Sequence, residues 1–406
     1  MTADLELRGT AVENYFDNLL PDNREIRRRI RERFRTASSN TFDLLSAIGR
    51  DCIGAVQLLP IGESPHGWNR VESEILTEEG VERALRVALS AIPIGRDEEA
   101  AFRISLAGAQ EKTALLSMAG KWFRPLRATP TTHILKLPLG IIGGFRGDLS
   151  DSVENEWLCG QILRALKLPV ADSAIANFGE HRVLAVTRFD RRWMGVAEGS
   201  EKRKQFAPKE GTWIARLPQE DFCQATGRPS NAKYEADGGP SISECLGILA
   251  TSEHARRDRT TFLLAQLAFW LLAATDGHGK NFSIHLEAGG AFAMTPLYDV
   301  ISAWPIVGHG KNQLPIEKAK LAMAVRGKGA HYRVNEIQPR HWKALAKITG
   351  IPNMWEAMRI QVESIGPAID GLEATLPRQF PDRVFKTIRD GVRRQVHSFR
   401  AAAADS

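Results

Sequence analysis

Apolar residues recur along the second half of the chain with the period of about 3.6 residues that is typical of amphipathic helices. This pattern predicts helices near residues 240–251, 257–274, 340–348, 353–371 and 381–398. Between about residues 96 and 220 the apolar residues instead alternate with polar ones, as they do in strands. The alternation predicts strands near residues 101–106, 113–118, 131–137, 171–178 and 182–188, with one helix near 151–166.

These patterns predict an α+β protein with three consecutive domains. Residues 221–406 form a helical lobe, and residues 96–220 form a lobe of mostly β structure. Residues 1–95 form a small N-terminal subdomain, with helices near 12–20 and 24–36 and strands near 53–59. A chain of 406 residues is long for a single core, so two or three domains are expected.

The composition is that of an ordinary globular protein, with 43% hydrophobic and 25% charged residues. The longest apolar run, Phe262 to Thr275, is interrupted by Gln266 and is shorter than the roughly 20 residues that span a bilayer. We interpret it as a buried helix. The N-terminus lacks the pattern of a signal peptide, and the four cysteines have no metal-binding spacing. Free, mostly buried thiols suit a reducing compartment, so we predict a cytoplasmic protein.

Positive charge is concentrated in two helical segments of a chain with a net charge of +6 and a pI near 9.2. In Arg24 to Arg35, the residues Ile26, Ile30 and Phe34 form one apolar stripe, and arginines cover the other faces. Arg378 to Arg400 is a second basic amphipathic stretch. Each can be a solvated helix face or a contact for phosphate or for an acidic protein. Two further basic segments, at residues 326–330 and 338–341, could reach DNA in a complex held by a partner.

The segment Thr275-Asp276-Gly277-His278-Gly279-Lys280-Asn281 carries the clearest chemical pattern. Phosphoryl transfer needs a carboxylate that orients the acceptor hydroxyl and an amide oxygen that helps to hold Mg²⁺. Asn281 follows Asp276 by five positions, the spacing found in the catalytic loop of protein kinases. Asp299 lies 23 residues beyond Asp276 and is the natural second metal ligand. Alone, such a pair is also typical of a helix end followed by a turn.

Two segments upstream could contact the phosphates of a nucleotide. Residues 107–112 form a turn of small residues that could direct backbone N–H groups at an anion. The segment contains neither a Gly-x-Gly-x-x-Gly nor a Walker A pattern, and an ordinary hairpin is the alternative. Lys136 lies in an apolar strand, where an ammonium group is costly unless it meets a charge. Its partner would be Glu154 or Glu156, of which we favour Glu156, and the alternative is a lysine at a sheet edge.

Collinear runs along nearly the whole chain resemble the HipA-type toxins, the serine/threonine kinases of bacterial type II toxin–antitoxin pairs. The runs are Asn14 to Pro21, Phe42 to Leu45, Ile48 to Asp51, Ile104 to Leu116, Thr131 to Leu139, Arg188 to Trp193, Leu217 to Gln224, Thr275 to Ser283, Tyr298-Asp299 and Leu376-Pro377. The resemblance implies a bilobal kinase-like fold related to the phosphatidylinositol 3- and 4-kinases. It has a β-rich N-lobe, a helical C-lobe and a small N-terminal subdomain.

The resemblance also implies the roles of individual residues. Asp276 would be the catalytic aspartate, and Asn281 and Asp299 would hold Mg²⁺. ATP would be bound by a phosphate-covering loop, a strand lysine, a hinge that receives adenine, and residues around the catalytic segment. The loop consists of Ala107, Gly108, Ala109, Gln110, Glu111 and Lys112, and the strand lysine is Lys136. The hinge consists of Glu220, Asp221 and Phe222. The residues around the catalytic segment are His278, Gly279, Lys280, Asn281, Tyr298 and Asp299.

Ser105 matches the serine that members of this family autophosphorylate. A phosphate there would place about −1.5 to −2 charges where the phosphates of ATP must bind, and should expel the loop. The resemblance implies a helix-turn-helix antitoxin of the HipB type as partner, with operator DNA bound only within that complex. It also implies a protein substrate, most often an aminoacyl-tRNA synthetase such as glutamate–tRNA ligase, whose phosphorylation arrests growth and gives persistence.

Two departures from related kinases affect these expectations. Family members carry an opening β segment, whereas only Met1 to Thr10 and the three residues after them precede the first matching run. Either the start codon is misassigned or the N-terminal subdomain is incomplete. No glycine follows Asp299, so the Asp-Phe-Gly switch of other kinases is absent and Ser105 is the expected control point. Two other functions stay open: a small-molecule phosphotransferase, and a catalytically silent corepressor that acts with a DNA-binding antitoxin.

Overall fold

The computed structural model describes residues 7–59, 61–89, 105–108, 110–197, 199–203 and 206–404. The chain forms two compact units. The first comprises Met1–Leu137, Ala174–Asn231 and His285–Glu287, and the second comprises Pro138–Ser173, Ala232–Ile284 and Ala288–Ser406. The predicted α+β class is confirmed. The division into three consecutive domains stays a prediction.

The helices and strands of the described residues are numbered in chain order. The α-helices are α1 Thr10–Asp17, α2 Arg24–Phe34, α3 Thr41–Ile48, α4 Glu78–Leu89, α5 Ser152–Ala165, α6 Phe222–Ala225, α7 Ile242–Leu249, α8 Ala255–Leu272, α9 Pro339–Thr349, α10 Met354–Leu372 and α11 Asp382–Ala404. The strands are β1 Ser73–Leu76, β2 Lys112–Met118, β3 Lys121–Pro125, β4 His133–Lys136, β5 Gly140–Ile142, β6 Gly147–Leu149, β7 Ser173–Phe178, β8 His181–Thr187, β9 Arg191–Met194, β10 Trp213–Arg216, β11 Gln219–Asp221, β12 Ser283–Leu286, β13 Phe292–Met294, β14 Lys320–Arg326 and β15 Ala330–Arg333.

The first unit contains a six-stranded sheet with the order β1-β3-β2-β4-β8-β7. Helix α4 covers one face, where its Val81 and Leu85 pack with Leu115, Leu135 and Val183 of the strands. Helices α1 to α3 and the segments that follow α1 and α3 form a second core from Leu19, Leu20, Leu44, Leu45, Ile48 and Cys52. Each core buries an apolar stripe that its short helices could not cover alone.

The strand predicted near residues 53–59 is wrong, because this segment is irregular. Gly54 has a φ of +72°, which interrupts an extended conformation. Its N–H donates to Asp190 Oδ2 at 2.7 Å, and its carbonyl accepts from Arg191 Nη1 at 2.8 Å. Side chains distant in sequence therefore take the hydrogen bonds that a sheet ladder would otherwise supply. Helices α3 and α4 are elements that the hydrophobic pattern did not predict.

The second unit is built around helix α8, as the long apolar run predicted. Its last eleven residues are buried with the single exception of Leu264, which is partly exposed. Helices α5, α7, α10 and α11 pack around it. A helix that is apolar on all sides is stable only inside such a layer. In the part of the chain that the structure describes, no helix is both long enough and apolar enough to cross a membrane.

Candidate active site

Asp276 lies in a short loop that follows helix α8. The helix ends at Leu272, and Ala273 has a left-handed backbone with a φ of 47°. The carbonyl of Asp276 accepts a hydrogen bond from the His278 N–H at 2.9 Å, which closes a tight turn. The carboxylate is 57% exposed, whereas His278 is buried. A rigid core helix thus places an accessible carboxylate at the surface of the second unit.

Asn281 joins the two segments that the sequence pattern associated with metal binding. Its Nδ2 donates to the carbonyl of Asp276 at 2.7 Å and lies 3.5 Å from the carbonyl of Asp299. The amide nitrogen therefore faces these two main-chain oxygens. The side-chain oxygen of Asn281 is the atom that could bind a cation.

The neighbouring residues fix the position of Asp299. Its φ of 61° lies in the left-handed region, which residues other than glycine seldom adopt. The hydroxyl of Tyr298 donates to the carbonyl of Lys280 at 2.9 Å and lies 2.5 Å from Ser283 Oγ. These contacts tie the Tyr298-Asp299 segment to the segment of Lys280 and Asn281. An unusual backbone held by its surroundings supports a functional role for Asp299.

The donor set around Asn281 and Asp299 fits Mg²⁺. Mg²⁺ binds hard oxygen ligands and is often held by one or two carboxylates with substrate phosphates completing its shell. One carboxylate and one amide oxygen meet that requirement. The described residues contain no group of three or more His, Cys, Asp or Glu side chains suited to a metal ion.

Lys136 occupies the last position of strand β4 in the first unit and is buried. It lies opposite Leu184 of β8 and Lys112 of β2 in the sheet register. Lys112 and Lys136 therefore start from adjacent positions of neighbouring strands. This arrangement suits a binding site for anions. Lys136 belongs to the first unit and Glu156 to the second, and their pairing stays a prediction.

Residues near the N-terminus hold the predicted phosphate-covering loop. The carbonyl of Gly108 accepts from the N–H of Asp22 at 3.1 Å, and Gly108 forms a parallel bridge with Pro21. Glu111 pairs with Arg29 of helix α2. Ala109 and residues 101–104 of the predicted strand lie outside the described residues, and the strand's last two residues are not in a strand.

Ser105 is fully buried next to this loop. Its hydroxyl donates to the carbonyl of Leu19 at 2.7 Å. A dianionic phosphate could not be placed at this position without displacing the surrounding chain.

The predicted hinge, Glu220, Asp221 and Phe222, also rests on the N-terminal helices. Asp221 caps helix α6, and the Gln224 side chain donates to the carbonyl of Tyr15 at 3.1 Å. Burial, together with the nearby charges of Glu220 and Asp221, raises the pKa of Tyr15 to about 12. Burial likewise raises the pKa of Glu220. Helix α1 thus fixes the main chain that the resemblance assigns to adenine.

A buried ionic cluster, which the sequence did not predict, joins residues 51–54 to the strands of the first unit. Asp51 contacts Arg191 at 2.9 Å, Arg216 at 3.2 Å and Arg188 at 3.3 Å. Asp190 contacts Arg188 at 2.7 Å and Arg191 at 3.0 Å. The sequence signal was the matching runs around Asp51 and Arg188, whose charged residues meet only in the folded chain.

The arginines of the basic helix α2 and its C-terminal end fall into two groups, one with internal contacts and one exposed to solvent. Arg27 pairs with Asp17 at 2.7 Å, and Arg33 is buried with its guanidinium near the carbonyl of Ala88. Burial, together with the nearby charge of Arg29, lowers the pKa of Arg33 to about 10. Arg31 and Arg35 are exposed. Much of this charge therefore serves the packing of the first unit.

Comparison with known proteins identifies the family. Residues 104–370 match the HipA-like C-terminal domain, and residues 2–59 match the HipA N-terminal domain. The protein Y4mE of Sinorhizobium fredii is 31% identical over 83% of this chain and 72% of its own length. The serine/threonine-protein kinase toxin HipA of Shewanella oneidensis is 29% identical over 74% of this chain and 66% of its own length.

A solved structure has the same fold. HipA in the complex of HipA, HipB and operator DNA from Shewanella oneidensis MR-1 gives a TM-score of 0.73 at 23% identity. The match covers 98% of this chain and 87% of that one. The predicted HipA kinase-like fold is therefore confirmed. The match to the HipA-like C-terminal domain spans more than half of this chain, so the chain belongs to the HipA family.

Proposed function

We propose that this protein is a serine/threonine kinase that transfers the γ-phosphoryl group of ATP to a protein hydroxyl. The contact of Asn281 with the main chain of both Asp276 and Asp299 carries this proposal, because it joins the residues that phosphoryl transfer requires. The name of the Shewanella relative supports the same chemistry.

In this proposal, Asp276 orients the acceptor hydroxyl and receives its proton. Asn281 and Asp299 would hold Mg²⁺, which when bound neutralises charge on the phosphates of ATP. Lys136 and the loop of residues 107–112 would bind the phosphates, and the Glu220-Asp221-Phe222 segment would receive adenine. His278, Gly279, Lys280 and Tyr298 would complete the nucleotide-binding residues.

We further propose that Ser105 is an autophosphorylation site that limits activity. Its hydroxyl is buried against Leu19, so the segment must leave this position before it can be modified. A phosphate of about −1.5 to −2 charges would then prevent its return. The loop of residues 107–112 would stay displaced from the N-terminal residues that hold it.

As a biological role we propose a cytoplasmic toxin that is controlled by an antitoxin of the HipB type. The substrate would be an aminoacyl-tRNA synthetase such as glutamate–tRNA ligase, and its phosphorylation would arrest growth. Operator DNA would be contacted only within the antitoxin complex. The described basic segments support that contact, because His331 of β15 stacks on His341 of α9 and so brings exposed Lys328 and Arg340 to one region.

The toxin function is tested by inducible expression in bacteria that lack the antitoxin. We expect the parent protein to arrest growth and Asp276→Asn to lose that effect at equal protein levels. Asp382→Asn is a matched control on the exposed surface of helix α11. Purified parent protein should also release ADP from Mg-ATP, and Asp276→Asn should not. Arrest by Asp276→Asn would contradict a toxin that acts through phosphoryl transfer.

A further inference from the structure

The carboxylate of Asp276 has a well-defined neighbour that the phosphoryl-transfer pattern does not include. The hydroxyl of Tyr234 donates a hydrogen bond to Asp276 Oδ1. His278 Nε2 lies 3.7 Å from the same oxygen. Among the described residues, both of these polar contacts involve Oδ1. The second oxygen, Oδ2, makes neither of these contacts.

Tyr234 is itself held on several sides. Its ring packs edge-to-face on the buried His278 ring, with centroids 5.1 Å apart. The carbonyl of the preceding Lys233 accepts from the Gly279 N–H at 3.1 Å. The carboxylate of the following Glu235 accepts from the Ala324 N–H at 2.6 Å. The segment Lys233-Tyr234-Glu235 is therefore fixed between the catalytic loop and strand β14.

Gly239 allows this segment to turn tightly. Its N–H donates to the carbonyl of Tyr234 at 2.8 Å. A Cβ atom at this position would lie 2.6 Å from the carbonyl oxygen of Lys233 and 2.7 Å from that of Tyr234. Only glycine fits this approach without moving the main chain that carries Tyr234.

We propose that Tyr234 is a positioning residue for phosphoryl transfer. This proposal rests on the proposed kinase function. Asp276 is more than half exposed and lies in a loop, so its side chain needs a fixed contact to keep one rotamer. By occupying Oδ1, the phenol directs Oδ2 to the acceptor. The acceptor oxygen then bonds to the γ-phosphorus, the bond to the bridging oxygen of ADP breaks, ADP leaves, and the hydroxyl proton passes to Oδ2.

The test compares Tyr234→Phe with the parent protein in autophosphorylation by Mg-ATP, followed by intact mass. Phenylalanine keeps the ring that packs on His278 and removes only the hydroxyl. We expect the maximal rate to fall roughly 10- to 100-fold. The ATP concentration for half-maximal rate should stay within about twofold, because in the proposed mechanism this hydroxyl orients Asp276 and does not bind ATP. Tyr332→Phe, which removes the same group elsewhere in the second unit, should match the parent.

The outcomes separate this proposal from the kinase assignment. An active parent with an unchanged maximal rate for Tyr234→Phe would overturn the role of Tyr234 alone. A rise in half-saturating ATP, or a fall in melting temperature of more than about 4 °C, would indicate a structural role and also overturn it. A parent protein that neither gains phosphate nor releases ADP would overturn the kinase function and this proposal together.

Discussion

Replacing Asp51 with asparagine should strongly destabilise the first unit. Asp51 is 5% exposed, and its carboxylate contacts Arg188, Arg191 and Arg216. It also accepts from the Thr131 hydroxyl at 2.6 Å and the Thr131 N–H at 3.0 Å. Asparagine has nearly the same shape but no charge. The substitution therefore leaves Arg188 and Arg191 with the single carboxylate of Asp190 and removes the carboxylate that Arg216 contacts.

The expected loss follows from the cost of leaving buried charges unpaired. Removing one partner of a buried ion pair costs about 3–5 kcal/mol. Domains are stable by only about 5–15 kcal/mol, so this loss is a large share of the total. Thr131 lies just before strand β4, which ends at Lys136. We therefore also expect weaker ATP binding in the variant.

Urea unfolding of the parent and of Asp51→Asn, followed by tryptophan fluorescence, measures the effect. Glu336→Gln is the control, because its pair with Arg333 is about half exposed and should contribute about 1 kcal/mol or less. If Asp51→Asn cost no more than this control, the cluster would not stabilise the fold as we argue.

The pH dependence supplies an independent check. Burial acts to raise the pKa of Asp51, but Arg191, Arg188 and Arg216 hold it well below its usual range. A carboxyl whose pKa is lowered by folding stabilises the protein above its unfolded pKa of about 3.9 and loses that effect as the pH falls further. The difference between parent and Asp51→Asn should therefore stay constant from pH 7 to 5 and shrink below about pH 4. A difference that vanished near pH 6 would contradict this account.

Three further predictions concern the proposed site and its partners. Asn281→Ala should lower ADP release about 100-fold, because it releases the main chain of Asp276 and Asp299, whereas the exposed Asn335→Ala should not. Ser105→Asp should abolish phosphoryl transfer to a protein substrate and lower the melting temperature, whereas Ser105→Ala should cost only about 1 kcal/mol and keep that transfer. Equal behaviour of the two variants would count against the buried position of Ser105. In the presence of antitoxin, binding to an operator duplex can be measured by fluorescence anisotropy at several salt concentrations. The double variant Lys328→Ala, Arg340→Ala should reduce the salt dependence of this binding by about one to two counterions. An unchanged salt dependence would exclude these residues from the DNA contact.

Local patterns were sufficient for the parts of the fold that are periodic. Helix α8 and strands β2, β4, β7 and β8 lie close to their predicted positions, because each has one strong apolar pattern and a clear end. The Asp276-to-Asn281 spacing was also visible, because both residues lie in one loop. The hydrogen bond between Asn281 and Asp276 gives that spacing a structural reason.

Long-range pairings were not predictable in the same way. Residues 53–59 are apolar enough to resemble a strand, but Asp190 and Arg191, more than 130 positions away, bind the main chain of Gly54 instead. Tyr234 precedes Asp276 by 42 positions and belongs to no periodic element. No window of the sequence contains both partners of such a contact, so only the folded chain reveals them.

The most direct test of the account is the intact mass of the purified protein after incubation with Mg²⁺ and ATP, measured beside Asp276→Asn and Ser105→Ala. We predict that the parent gains one phosphate and that neither variant does. Because Ser105→Ala should still release ADP when water or an added protein hydroxyl accepts the phosphoryl group, its result separates loss of the acceptor from loss of catalysis. A parent protein that begins without phosphate, gains none and releases no ADP would contradict the kinase function, and a phosphate gained equally by Asp276→Asn would contradict the role of Asp276.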